Sequence, residues 1–426
     1  METGGHQHDR SVPYVPSGGE RRALRAANAA KLWAMSMLDA LRARLQPTDD
    51  THRVTTLELF FDLVFVFAIT NVTALMEHDL GARGVLHGSI LLALVWFGWC
   101  AYTWLGNQAR ADEGLLRVAV VIAMGGMFFV GVSIPHAFDG EGNAALVLVA
   151  SYAVVRLTHL VVYLVAAGDD VQLRSVILAM LAVALAVLAL LLVGALAGGD
   201  VQRWWWLAAV ACDQLGVYVV RSTRWVLNSA THFAERFGLV MIIDIGESIV
   251  AVGVATSTAQ LGAREALALV CGLAIAVCLW WLYFDVVSHV GERVLLHSSG
   301  VERTRLARDS YTYVHLLFVG GIVFMALGLV VLIHDHGHVD AGRYALYGGT
   351  VSYLAGHALF RLRNVGGINR PRAVAAIVLL AGIPTLGNLP TLGQIAVPAT
   401  LLTAVVAAEV VLFRDARDAI RHARAA

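Results

Sequence analysis

Residues His232–Val254 read HFAERFGLVMIIDIGESIVAVGV. The run is long enough to cross a bilayer, which takes about 20 mostly apolar residues, yet it carries Glu235, Arg236, Asp244 and Glu247. A carboxylate at the bilayer centre costs on the order of 2.5–3.5 kcal/mol on insertion scales, so such a group faces protein or water and marks a functional site. The segment therefore points to an all-α polytopic membrane protein and shows where its chemistry lies.

The rest of the chain agrees. Of 426 residues, 58% are hydrophobic and 15% charged, and the mean hydropathy is +0.70. These values lie outside the range of soluble globular proteins. Cys100, Cys212, Cys271 and Cys278 all fall in apolar runs without a CxxC pair, and read as small buried hydrophobes rather than a disulfide or zinc set. The first 30 residues lack the apolar core of a cleavable signal peptide.

Outward from the opening stretch, twelve apolar spans are expected, at 55–76, 85–106, 115–134, 143–167, 174–197, 203–221, 236–257, 265–288, 311–333, 343–361, 373–389 and 394–413. Pro384 and Pro390 make the eleventh a broken or re-entrant segment. With both termini cytoplasmic, and span-end residues counted with the adjoining loop, the tails and inner loops hold 26 of the 31 basic residues, the outer loops hold Arg83, Arg203, Arg264 and Arg343, and Arg156 alone lies within the body of a span. That bias is the one expected of cytoplasmic loops.

Residues 1–54 form a polar tail in which the first 20 residues read as disordered. Residues 28–45 read either as an amphipathic helix on the inner membrane surface or as a solvated linker helix. The remaining divisions are a first six-helix half at 55–221, a cytoplasmic linker at 222–234, a second half at 235–414 and a tail at 415–426.

Four ordered matches argue that the halves are repeats. Glu58-Leu59-Phe60 of span one recurs as Glu235-Arg236-Phe237 of span seven, and Trp99 with Tyr102 as Trp280 with Tyr283. Gly125-Gly126 recurs as Gly320-Gly321, and Ser151-Tyr152 followed by His159 as Ser352-Tyr353 followed by His357. Six spans per half would make the repeats parallel, related by an axis along the membrane normal.

Glu58 and Asp62 stack on one face of span one, four residues apart. Two acids this close hold a proton unless a cation intervenes, the null alternative being solvation or a pair with Arg53. On span seven, Glu247 lies near mid-membrane. Arg236, eleven residues earlier and about 20° from the same face, is expected as its partner, and Arg156 of span four is the alternative. Asp213 and Glu409 occupy equivalent places in spans six and twelve. The run His334-Asp335-His336-Gly337-His338-Val339-Asp340 reads as a flexible polar loop rather than a metal site, and Trp204-Trp205-Trp206 as an interfacial anchor. No phosphate loop, dinucleotide fingerprint, HExxH or serine elbow is present, so neither cofactor nor metal is expected. Nor is there a basic domain for nucleic acid.

The runs ELFFDLVFVFAI (Glu58–Ile69), HFAERFGLVMIIDIGESIVAVG (His232–Gly253) and WWLYFD (Trp280–Asp285) resemble the bacterial low temperature requirement A family, over roughly residues 50–415. The resemblance implies a multi-pass inner-membrane protein whose family name refers to growth in the cold, and it favours Glu58, Asp62, His232, Glu235, Arg236, Gly246 and Glu247. Asp244 departs from the apolar residue usual there.

The leading expectation is a proton-linked secondary transporter whose partners are the lipid bilayer and a small solute or proton. Its substrate- or proton-binding set would be Glu58, Asp62, His232, Glu235, Arg236, Asp244, Glu247 and Arg156, with Asp62 and Glu247 on one central cavity. The alternatives are a membrane-embedded enzyme acting on a lipid or isoprenoid, with His232, Glu235 and Glu247 converging, and a non-transporting sensor or stress factor.

Overall fold

The structure is a computed structural model that describes residues 53–112, 114–140, 142–219, 227–257, 262–334 and 338–414. Residues 1–20, expected to be disordered, residues 28–45, expected as a helix, the 415–426 tail and residues 335–337 of the histidine-rich loop lie outside the described residues.

The described chain is all-helical: α1 Thr56–His78, α2 Ala82–Gln108, α3 Gly114–Ser133, α4 Ala144–Ala167, α5 Val171–Ala197, α6 Gly199–Val219, α7 Ala230–Ser257, α8 Ala263–Phe284, α9 Val287–His297, α10 Gly300–Leu306, α11 Val314–His334, α12 Val339–Val365, α13 Arg370–Thr385 and α14 Thr391–Leu412. Backbone amides find no partners in hydrocarbon, which leaves helices as the spanning solution for these apolar runs. Among the described residues nine segments are long and apolar enough to cross a membrane; α6, α12 and α13 are not among them. At 16 residues, α13 covers about 24 Å at 1.5 Å per residue, short of the hydrocarbon thickness.

Local chemistry sets the helix starts. Thr55 and Glu58 form a reciprocal capping box at α1, with Glu58 N donating to Thr55 Oγ1 at 3.3 Å and Thr55 N to Glu58 Oε2 at 2.9 Å. Asp170 accepts from the amides of Gln172 and Leu173 at the start of α5. The start of α7 is fixed from α2: Asn107 Oδ1 accepts from Asn228 N at 2.8 Å, and Asn107 Nδ2 donates to Ser229 O at 2.6 Å. As a result α7 begins at Ala230 rather than at the expected 236, and His232 and Glu235 are helical.

The sequence also hid what joins α8 to α11. In place of a loop, α9, α10 and a π-helical turn at Ala307–Tyr313 carry the chain across. His289, Glu292 and Arg293 mask the apolar stripe of α9, which buries Gly291 and Leu295.

In the first half α1 packs on α2 and α3, α3 on α4, α4 on α5, α5 on α6, and α2 on α6. In the second, α7 packs on α8 and α11, α11 on α12, α12 on α13, α13 on α14, and α8 on α14. The α11–α12 seam is close because glycine lines it: a Cβ on Gly321 would meet Gly349 O at 2.8 Å. Such small-residue seams let helices associate where no hydrophobic effect drives them together. Leu178, Leu185, Leu192 and Leu196 of α5 are exposed, as an outer helix in lipid requires. Helices α1–α6 meet α7–α14 where α1 and α2 each contact α7 and α11.

Candidate functional site

The site is the α1–α7 interface. Arg236 is its centre, a guanidinium 2% exposed. Its Nη2 donates to Asp62 Oδ1 at 2.7 Å, and its Nη1 lies 3.2 Å from Glu58 Oε1. The four-residue spacing that stacks Glu58 above Asp62 on α1 thus lets one arginine engage both. His232, one turn before Arg236, places Nε2 3.1 Å from Glu58 Oε1. Gly106 of α2 makes room for the carboxylate, since a Cβ there would lie 2.8 Å from Glu58 Oε1.

Trp99 of α2 completes the clamp. Its Nε1 donates to Asp62 Oδ1 at 2.7 Å, and its ring lies 5.6 Å from the Arg236 guanidinium carbon, within cation–π range. A crevice of about 10 Å³ beside Glu58, Tyr102, Gly106 and Arg236 has room for about one water.

Further along the same interface the charge balance changes. Asp244 is 2% exposed, and neither carboxylate oxygen has a hydrogen-bond partner. Asp62 across the interface and Glu247 on its own helix are the charged groups that act on it. Glu247 Oε1 accepts from Thr70 Oγ1 of α1 at 2.7 Å. At the other end, Glu235 is half-buried and takes Val54 N at 3.4 Å, with Arg53 Nη1 4.0 Å away.

Of the eight residues expected from the sequence, Glu58, Asp62, His232 and Arg236 therefore converge in one clamp. Asp244 and Glu247 continue the file, and Glu235 sits at its rim. Arg156 is elsewhere: its Nη2 donates to Asp213 Oδ1 at 2.6 Å, bridging α4 and α6. Two expected pairings need correction. Arg236 serves Asp62 and Glu58 rather than Glu247, because eleven residues of helix separate its Cα from that of Glu247 by about 16 Å along the axis. Arg156 serves Asp213 rather than Glu247. Likewise Arg53 lies by Glu235 and not by Glu58.

Asp62 and Glu247 both act on Asp244, and neither lines the crevice beside Glu58 or the cavity beside Ser248. A second cavity, of about 210 Å³, lies between α7, α8 and α11 and is lined by Ser248, Val252, Gly272, Leu279, Ile322 and Met325 among others. His232, Glu235 and Glu247 do not converge either, since His232 and Glu247 are about 22 Å apart along α7. Among the described residues no group of three His, Cys, Asp or Glu side chains is placed to hold a metal ion.

Sequence reading missed Trp99 as a donor, and it missed Thr70, Asn107 and Arg372. A tryptophan in mid-span was the available signal for the first, because its N–H needs a partner there. Arg372 of α13 pairs with Glu409 of α14 through Nε–Oε1 and Nη2–Oε2 contacts of 2.7 Å each, and its Nη1 lies 2.8 Å from His357 Nδ1. The halves are also tied at the π-helical turn, where Trp96 Nε1 donates to Thr312 O at 2.7 Å and Trp104 Nε1 to Thr312 Oγ1 at 3.0 Å.

The family model of the bacterial low temperature requirement A protein matches residues 53–408. The chain belongs to this family. The match covers α1 to α13, most of α14 and the whole α1–α7 interface. An uncharacterised protein of Rhizobium meliloti (strain 1021) is 25% identical over 327 residues, 74% of this chain and 78% of that protein. No solved structure matches. The protein is an integral membrane protein with many apolar helices.

Proposed function

We propose that this low temperature requirement A protein is a proton-linked secondary transporter of a small solute, multi-pass in the bacterial inner membrane, with both termini cytoplasmic. The observation that carries the reading is the polar file on α1 and α7. Glu58, Asp62, Asp244 and Glu247 lie along it, and its buried arginine, Arg236, engages only Glu58 and Asp62, in a setting where each uncompensated acid is costly and is kept for a use. Asp62 and Glu247 are the proton-carrying or substrate-pairing acids, and Arg236 holds Asp62 in the occluded packing.

Two parallel repeats are supported by the matching neighbour relations: α1 with α2 and α3 against α7 with α8 and α11, and α2 with α6 against α8 with α14. The Arg156–Asp213 and Arg372–Glu409 pairs likewise tie the last helix of each half inward. Twelve crossings are supported by contacts at the bundle ends. Arg83 in the first turn of α2 pairs with Asp200 in the first turn of α6, and Arg264 in the first turn of α8 bonds Thr391 at the start of α14, as helix starts on one membrane side would. The cavity beside Ser248 is the solute position this reading favours.

The test uses proteoliposomes loaded with a pH-sensitive dye and challenged with a solute panel. Solute-evoked proton entry in the wild type, abolished in Glu247→Gln, supports transport; equal entry in both overturns the role of Glu247. The second reading, a non-transporting membrane sensor, is favoured by the tight enclosure of the Glu58–Arg236–Asp62 clamp. It predicts no solute-evoked proton entry at all.

A further inference from the structure

Asp244 sits fourteen residues from Ala230 and thirteen from Ser257, the middle of α7. It is 2% exposed, and among the described residues both of its oxygens lack a hydrogen-bond partner, as does Asp62 Oδ2 across the interface. The charged groups acting on it, Asp62 and Glu247, are both acids. The one nearby arginine, Arg236, is two turns away and is already held by Glu58 and Asp62. An isolated carboxylate in such a place is untenable without a counter-charge, because the loss of hydration is not repaid by any donor.

We propose that Asp244 is an ion-binding group, its carboxylate holding one small monovalent cation, a proton or an alkali ion, at the middle of the α1–α7 interface. The surroundings set this chemistry. Asp244 offers its own two carboxylate oxygens, and the groups that act on it, Asp62 and Glu247, are carboxylates too, ligand chemistry that suits a hard ion rather than a transition metal. The described residues place no three acidic or imidazole side chains to chelate a multivalent ion. The coupling use of the site rests on the transporter reading, but binding is measurable without flux.

The experiment uses the full-length protein in lipid nanodiscs. The infrared carbonyl band of a protonated carboxyl group is recorded in sodium-free choline buffer, and thermal unfolding is followed with and without added Na⁺, for the wild type and Asp244→Asn. A protonated-carboxyl band in the wild type that Asp244→Asn removes identifies the proton. A Na⁺-dependent rise in Tm that Asp244→Asn removes identifies the alkali ion. The proposal is overturned if the wild type gives neither signal, or if Asp244→Asn keeps whichever signal the wild type gives. If Asp244→Asn does not fold, Asp244→Glu keeps the carboxyl. The band then shifts or the Na⁺ response changes, and identity to the wild type in both overturns the site. Binding without solute-evoked proton flux would leave the site standing and remove the transporter reading; flux with no ion signal at Asp244 would do the reverse.

Discussion

Arg236 Nη2 and Asp62 Oδ1 lie 2.7 Å apart, one on α7 and one on α1, both almost wholly buried. The pair joins α1 to α7 and compensates two charges that burial would otherwise make costly. Removing one partner of a buried pair leaves the other uncompensated, at about 3–5 kcal/mol. Arg236→Met is therefore expected to destabilise by about that amount in denaturant unfolding in mild detergent. Adding Asp62→Asn and Glu58→Gln should restore much of the loss, whereas additive losses would show that the three side chains act independently.

Trp99 supplies Asp62 with an indole donor at 2.7 Å. Trp99→Phe keeps an aromatic ring but removes that bond, which to a charged acceptor is worth about 1.5–3 kcal/mol. The expected loss should shrink sharply in an Asp62→Asn background, and a double-mutant cycle on unfolding free energy measures it.

Much of the fold was legible because lipid leaves the backbone few choices. The runs at 55–76 and 85–106 became α1 and α2 with small shifts at their ends, since apolar length alone places such helices. The pairings were not legible. Helical spacing showed that Glu58 and Asp62 share a face, but which cation met them depended on how α1 and α7 rotate and slide against each other, and no single helix records that. Arg372 was counted with the inner loop, although it lies in the first turn of α13 and is buried against Glu409 and His357. The turn at Ala307–Tyr313 escaped notice because its π geometry is held by Trp96 and Trp104, more than 200 residues earlier in sequence.

The paired glycines separate packing from mere composition. Gly126 faces Ser151 O of α4 at 3.0 Å from its would-be Cβ, while Gly125 faces open space. Gly126→Ala should cost about 1–3 kcal/mol by forcing α3 from α4, and Gly125→Ala should be neutral or stabilising by up to about 1 kcal/mol because alanine is the better helix former. Equal Tm values for the two variants would contradict that packing.

Arg156 and Asp213 form a pair away from the file, at 2.6 Å between α4 and α6. Arg156→Met alone should destabilise by about 3–5 kcal/mol, whereas Arg156→Met with Asp213→Leu should come close to wild-type stability, because an apolar pair needs no desolvation. Thermal unfolding of the single and double variants checks this.

The most direct test of the file as a coupling path is proton entry into dye-loaded proteoliposomes under an imposed solute gradient, compared among the wild type, Asp62→Asn, Glu247→Gln and the Arg156→Met/Asp213→Leu double variant. Coupling along α1 and α7 predicts solute-evoked proton entry in the wild type and in the double variant, and its loss in Asp62→Asn and Glu247→Gln. Proton entry in Asp62→Asn and Glu247→Gln at the wild-type rate, or none in the wild type above protein-free vesicles, would contradict it.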